Sequence, residues 1–221
     1  MKNILIVAPH ADDEVLGCGG IIKRKSQRGD NVIVLIVTRG TPKMYSEEKV
    51  INVRNEAKES HKILGVKETF FLDFHAPELD ITSSAEIARG ISKIVEENNI
   101  DEMYIPHRGD IHSDHTVVAN ACYVAARPVN GCTVKSIYAY ETLSETEWAP
   151  PFGDDAFIPN HFVDITDYFN FKLKAMECFK SQIKDFPNPR SLECIESLSK
   201  FRGATIGVNR AEAFMVIRTI I

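Results

Sequence analysis

No apolar run in this chain approaches the roughly 18 residues that a helix needs to cross a bilayer, and basic charge is not in excess. The 26 Lys and Arg stand against 31 Asp and Glu, a formal net charge of −5. The first absence excludes a helical membrane protein, and the second argues against nucleic acid as a partner. Cysteine is sparse and unpatterned: Cys18, Cys122, Cys132, Cys178 and Cys194 are odd in number and form no C-x-x-C pair. That excludes a disulfide framework and predicts reduced thiols in or near the core, with Cys18 read as a small packed residue. No repeat, low-complexity tract or G-x-G-x-x-G motif is present. The N-terminal apolar stretch is short and runs into His10 and Asp12 where a signal peptide would have a small-residue cleavage site, so the expected location is the cytoplasm.

What is present is an alternation of strand-like and helix-like segments, the pattern of parallel strands joined by crossover helices. Strands are expected near Asn3–Ala8, Asn31–Thr38, Thr69–Asp73, Glu102–Pro106 and Val134–Tyr140, with a last strand at Glu212–Thr219. Helices are expected at Glu14–Arg28, Glu47–Leu64, Ser84–Asn98, His115–Ala126, Thr166–Ile183 and Ser191–Arg202, the first two stopped by Gly29 and Gly65. Val32–Val37 is apolar on both faces, as a strand covered by helices on both sides must be. The expectation is one α/β domain over residues 1–221, with a mostly parallel sheet and helices on both faces. Residues 141–160 break the pattern with three prolines, the single Trp148 and several acids, and read as a loop able to cover a site.

The chemistry gathers in two segments. Pro9-His10-Ala11-Asp12-Asp13-Glu14 ends the first strand with one imidazole and three carboxylates. Like charges crowded there repel one another and resist desolvation, so a divalent cation is the economical way to hold them. The second segment, His107 to His115, follows the fourth strand, and ligands of open α/β sheets collect beyond the carboxyl ends of strands. His10 and Asp13 are three apart, as are His112 and His115, so a turn can aim each pair one way. Two imidazoles and a carboxylate make a common catalytic zinc set, and zinc lowers the pKa of a water it binds to about 7. If Asp13 binds metal, Asp12 is free to act as general base; if His115 binds metal, His112 can face a developing oxyanion as imidazolium, its pKa tuned by Asp114. Against this stand plainer readings: Ser113 or Asp114 as a helix cap, and His61, His75 and His161 as hydrogen-bonded surface residues. The same residue types also form the facial triad of non-haem iron oxygenases, although that triad usually sits in a β-sandwich-like barrel. Gly17-Cys18-Gly19-Gly20 would suit a phosphate-binding turn, but the acids before it repel phosphate.

Pro9-His10-Ala11-Asp12-Asp13-Glu14 resembles the (A/P)-H-P-D-D-E signature of the PIG-L/LmbE-like de-N-acetylases, and His112-Ser113-Asp114-His115 resembles their H-P-D-H motif. Arg54-Asn55-Glu56-Ala57 with Leu64-Gly65-Val66, and Gly207-Val208 with Ala211-Glu212-Ala213-Phe214, are similar to two further family segments, so the resemblance covers nearly the whole chain. It implies a Rossmann-like fold and hydrolysis of the N-acetyl group of an amino-sugar conjugate by a metal-bound water. The metal is usually zinc, and Fe2+ suits the same ligands. By motif position, His10, Asp13 and His115 are the implied ligands, Asp12 the base, His112 the oxyanion stabiliser assisted by Asp114, and Arg54 a substrate contact. The plain alternative for Arg54 is an ion pair with a carboxylate one turn away, such as Glu47. Ala11 and Ser113 replace the two prolines, and Ile111 and Asp110 stand where some members place a tyrosine. Family members act on N-acetylglucosamine joined to inositol, malate, lipid, peptide antibiotic or oligosaccharide, and are commonly homo-oligomers. A catalytically inactive sugar-binding relative is the alternative, and intact Asp12 and His115 argue against it. Trp148 and Phe152 are candidate surfaces for stacking a sugar ring, with a core anchor as the other reading of Trp148.

Overall fold

The computed structural model describes residues 1–221. Strand β1 (Asn3–Ala8) leads into helix α1 (Asp13–Gln27), then β2 (Asn31–Gly40), α2 (Glu47–Leu64), β3 (Glu68–Ala76), α3 (Ser84–Glu97), β4 (Glu102–Pro106), α4 (Ser113–Ala125) and β5 (Ser136–Tyr140). The remainder is β6 (His161–Asp164), α5 (Phe169–Met176), α6 (Leu192–Ile206) and β7 (Ala211–Thr219). These strands form one seven-stranded sheet in the order β3-β2-β1-β4-β5-β7-β6. Strands β1 to β5 run parallel, and β7 pairs antiparallel with both β5 and β6. The α/β class with helices on both faces is as the sequence predicts.

Alternation along β1 shows how the sheet is covered. Ile4, Ile6 and Ala8 point into a core shared with α1, α5 and α6, whereas Leu5 and Val7 join the opposite core beneath α3 and α4. With both faces dry, a strand has no polar side to offer, hence the apolar runs in β1 and β2.

The glycine cluster of α1 serves packing. A Cβ at Gly17 would lie 2.2 Å from Cδ2 of Tyr140, and one at Gly20 would lie 2.7 Å from Cγ2 of Ile165. The helix can approach β5 and the β6–α5 connection only because both side chains are missing, so the phosphate-binding reading of this stretch falls away. The same helix is pinned from below by Glu212, whose carboxylate accepts the Gly20 and Ile21 amides at 2.8 and 2.7 Å and the buried Lys172 Nζ at 2.7 Å.

Several boundaries differ from expectation, two of them by a turn of helix or more. The helix read over Thr166–Ile183 is cut to Phe169–Met176. Its apolar spacing continues through Phe179, but the helix ends at Met176, and beyond it Glu56 takes the Ser181 amide at 3.1 Å and its hydroxyl at 2.6 Å. Helix α6 runs on to Ile206, where Gly207 in the left-handed conformation (φ 75°) ends it. Strand β6, which the sequence did not signal, directly follows the 141–160 stretch read as loop and is defined by its ladder with β7.

Sheet order reverses between β1 and β4: β1 connects to β2 on one side, while β4 lies on the other. The loops leaving the carboxyl ends of β1 and β4 therefore diverge and leave a crevice between them.

Candidate active site

Asp12 occupies the turn from β1 into α1 with φ 122°, a conformation that costs a side-chain-bearing residue roughly 1–3 kcal/mol. Its carbonyl accepts the Val15 and Leu16 amides and so starts the helix, but its carboxylate caps nothing. An aspartate before a helix ordinarily folds its side chain back onto the first turn. Here the backbone turns the carboxylate toward the cleft instead, and Asp13 and Glu14 point inward, fully buried.

Asp13 is the centre of the cluster. Its Oδ2 accepts the His10 amide at 2.8 Å and lies 3.3 Å from His10 Nδ1 and 3.2 Å from His115 Nε2. The far nitrogen of each imidazole is held by a second carboxylate: His10 Nε2 by Asp114 Oδ2 at 3.1 Å and His115 Nδ1 by Asp110 Oδ2 at 2.8 Å. Asp110 is held in turn by the Thr146 hydroxyl at 2.6 Å. The sequence reading passed over Asp110, and only its position five residues before His115 could have signalled it. The Asp114 carboxylate bonds His10 and, at 3.1 Å, the Leu79 amide, and its charge acts on His112 from nearby, opposing the lowering of that imidazole's pKa.

His112, not Ser113 or Asp114, is the cap of α4: its Nδ1 accepts the Asp114 amide at 3.1 Å. That bond places the proton of the neutral imidazole on Nε2. Burial, reinforced by the nearby His10, lowers the His112 pKa and favours this neutral form. The His10 and His112 rings lie 4.6 Å apart and the His10 and His115 rings 5.4 Å apart.

The electrostatics are those of a cation site. Burial works against charge on His10, but the hydrogen bonds its ring donates to Asp114 and Asp13 outweigh it and push its pKa up to about 9. Burial is likewise overcome at His115, pushed up to about 10 by the Asp13 charge and Asp110. Burial alone would raise Asp13, yet the facing histidines hold its carboxyl well below the usual range. Positive charge is thus strongly favoured between these groups, whether carried by protons or by a metal ion. Asp13 Oδ1 and His115 Nε2 are buried without a hydrogen-bond partner, a costly state that metal coordination would relieve. Carboxylates behind both imidazoles complete the usual surroundings of metal-binding histidines. The donor atoms of His10, Asp13 and His115 lie within 4.8 Å of one another, so these residues fit a divalent metal.

A cleft of about 810 Å³ opens above the cluster and is lined by His10, Asp12, His112 and Arg190, with Tyr45 and Arg54 farther out. Arg190, from the segment before α6, reaches Asp12 at 3.3 Å and bonds Ser144 Oγ at 2.9 Å and Gln182 Oε1 at 3.3 Å. No motif marks it. Burial pushes the Asp12 pKa up to about 7, with the Arg190 charge opposing the rise and the Asp13 and Glu14 charges adding to it. Arg54 pairs with Asp73 of β3 and lies over the Phe71 ring at 4.5 Å, while Glu47 pairs with Arg39. The structure brings His10, Asp12, Asp13, His112, Asp114 and His115 together and sets Arg54 on the cleft wall. Trp148, 56% exposed, is no core anchor, and neither it nor Phe152 lines the cleft, where the rim aromatic is Tyr45. His61 is buried and bonded to Glu14, against its reading as a surface residue, whereas His75 is exposed.

The sequence profile described as PIG-L, GlcNAc-PI de-N-acetylase, matches residues 5–126. The uncharacterised deacetylase YaiS of Escherichia coli is 32% identical over 188 residues, which is 81% of this chain and 91% of that protein. The diacetylchitobiose deacetylase of Thermococcus kodakarensis is 27% identical over 84% of this chain and 72% of its own. The crystallised N,N'-diacetylchitobiose deacetylase of Pyrococcus horikoshii superposes with a TM-score of 0.79 at 26% identity, covering 98% of this chain and 84% of that one. With both sequence segments converging on one buried cluster at the β1–β4 crevice, and a profile match spanning more than half its length, this chain belongs to the PIG-L family of de-N-acetylases.

Proposed function

We propose that the protein is a metal-dependent amidohydrolase that removes the N-acetyl group from an N-acetylated amino-sugar conjugate, releasing acetate and a free amine. The observation that carries this reading is the juxtaposition of the buried His10–Asp13–His115 cluster with a carboxylate, Asp12, that caps nothing and faces the cleft. Deacetylase relatives that act on diacetylchitobiose, and a probable N-acetyl-α-D-glucosaminyl L-malate deacetylase of Bacillus anthracis, support the substrate class.

In this reading His10, Asp13 and His115 would hold a divalent ion, zinc or ferrous iron, which would supply an acidified water and polarisation of the amide carbonyl. Asp12 takes a proton from the water as its oxygen attacks the acetamide carbon. Neutral His112 donates its Nε2–H to the oxyanion that develops on the former carbonyl oxygen, since its Nδ1 is occupied by the Asp114 amide. As the tetrahedral intermediate collapses, the C–N bond breaks and Asp12 returns its proton to the leaving nitrogen. Asp114 and Asp110 keep the two imidazoles oriented. Arg54, fixed by Asp73 and Phe71, is placed to bind substrate hydroxyls or an anionic aglycone.

No helix of the protein is long and apolar enough to cross a membrane, and we place the reaction in the cytoplasm, on a small-molecule substrate. The test is release of free amine from a panel of N-acetylated sugar conjugates by zinc-loaded protein, with Asp12→Ala as control. Release that disappears in the control supports the reading. Absence of release from every conjugate by protein carrying one metal ion would overturn it.

A further inference from the structure

A second buried chain of polar groups stands behind the cleft and takes no part in the chemistry above. His61, in the last turn of α2, places Nε2 3.0 Å from Glu14 Oε1, and its Nδ1 lies 2.8 Å from the Thr69 hydroxyl of β3. The other oxygen of the same carboxylate, Glu14 Oε2, accepts the backbone amide of Asp12 at 3.1 Å. All three are inside the protein: Asp12, Glu14 and His61 are 1%, 0% and 3% exposed. The chain therefore runs from β3 through α2 into the turn that carries the cleft-facing carboxylate, and it ends on the amide of the one residue in that turn with a positive φ.

A buried carboxylate does not stay where it is without partners for both oxygens. Glu14 has two: the imidazole fixes one oxygen, and with it the rotation of the carboxyl plane, so that the other is presented to the Asp12 amide. A residue at φ 122° persists only where its surroundings over-determine it. The Glu14 oxygen holds the Asp12 amide from one side, and the Val15 and Leu16 amides hold the Asp12 carbonyl from the other at 3.0 and 2.9 Å. Without the first restraint the peptide can rotate toward an ordinary helix cap, and the Asp12 carboxylate would swing onto the α1 amides and out of the cleft.

We propose that His61 is a positioning residue for Asp12, acting through Glu14 to hold the Asp12 peptide in the conformation that keeps its carboxylate out of the helix cap and in the cleft. The importance of this for turnover rests on the assignment of Asp12 as general base; the restraint on the peptide does not.

The experiment compares His61→Leu, which removes both hydrogen bonds, with His61→Gln, whose amide can still donate to Glu14, and with Thr69→Val, which loosens the imidazole from a distance. Each is loaded with zinc and measured for metal content, for the ¹H–¹⁵N resonance of the Asp12 amide, and for kcat and KM on whichever conjugate the wild type hydrolyses. In wild type the Asp12 amide proton should resonate downfield, as expected for a bond to a carboxylate. In His61→Leu it should move upfield and exchange faster, while kcat falls roughly tenfold with KM and zinc stoichiometry unchanged, as expected when only a group acting in the transition state is displaced. His61→Gln should restore both signals, and Thr69→Val should move both part of the way. An Asp12 amide unchanged in His61→Leu, or Leu and Gln variants equally impaired, would overturn the proposal. If His61→Leu does not fold, the Gln and Val variants decide it by the same two signals. Should the wild type hydrolyse no conjugate, the reading of the activity fails, and the amide resonance still decides the positioning role.

Discussion

The Arg190 guanidinium stands 3.3 Å from the Asp12 carboxylate although 178 positions separate the two residues along the chain. A cation so placed favours the charged form of the carboxylate and restrains it at the cleft. Replacing it should therefore raise the Asp12 pKa, and the deprotonated base would be lost at a higher pH than in wild type. For Arg190→Met the acid limb of kcat/KM is expected to move upward, with kcat/KM at neutral pH falling on the order of tenfold for each pKa unit of displacement. A pH–rate profile checks this, and Arg190→Lys should lie between the two.

Asp110 touches His115 Nδ1 but none of the cleft, so its replacement separates support of the metal site from chemistry. Asp110→Asn is expected to weaken metal binding roughly 10–100-fold, with little change in kcat once the site is saturated. Zinc titration against a competing chelator measures the first, and turnover at saturating zinc the second.

Metal occupancy should appear in thermal stability. A ligand that binds the folded chain at about 100 times its Kd adds about 2.7 kcal/mol, on the order of 5–10 °C in Tm for a chain of this size. Zinc should raise Tm by that amount, EDTA should reverse it, and His115→Ala should abolish the response. A differential scanning experiment on the two proteins decides.

Far from the cleft, Glu102 accepts Lys25 at 2.9 Å, Lys2 at 3.1 Å and the Tyr104 hydroxyl at 2.7 Å. Burial alone would raise its pKa, yet the Lys25 hydrogen bond and charge, joined by Tyr104 and Lys2, hold it below the ordinary 4.5. A carboxyl depressed on folding stabilises the protein fully above its unfolded value, and that contribution disappears as pH falls through the folded value. Glu102→Gln should therefore cost roughly 1–3 kcal/mol at pH 7 and progressively less as the pH drops below 4.5. Urea denaturation of both proteins across that range is the check.

The parallel half of the fold was legible because its information is local. A strand covered on both faces must be apolar throughout, and Gly65 marks the end of α2 by its left-handed conformation. The two acidic and histidine-rich segments were equally legible, since charges placed directly after apolar strands have few structural explanations. What stayed hidden depends on distant partners. Strand β6 has four residues and a single buried one, Val163, and exists by virtue of β7. Glu56 and Ser181, whose bonds hold the chain just beyond α5, lie 125 positions apart. Arg190 sits in a segment without periodicity, Asp110 stands behind a candidate ligand, and His61 looks like any polar residue on an amphipathic helix until the fold buries it against Glu14. Of the two readings of Trp148, its exposure removes the core anchor, since a large aromatic in a loop shows from sequence alone neither where it packs nor what it faces.

The reversal of strand order between β1 and β4 also sets when the metal site can come into being. His10 and Asp114, which touch in the finished protein, are 104 positions apart, and the intervening β2–α2–β3–α3 segment must be laid down before β4 can dock beside β1. During synthesis, a chain that has emerged only as far as α3 carries His10 and Asp13 but not yet Asp110, Asp114 and His115, which stand opposite them in the finished fold. The candidate three-residue metal cluster is therefore complete only late, once both halves of the sheet have met.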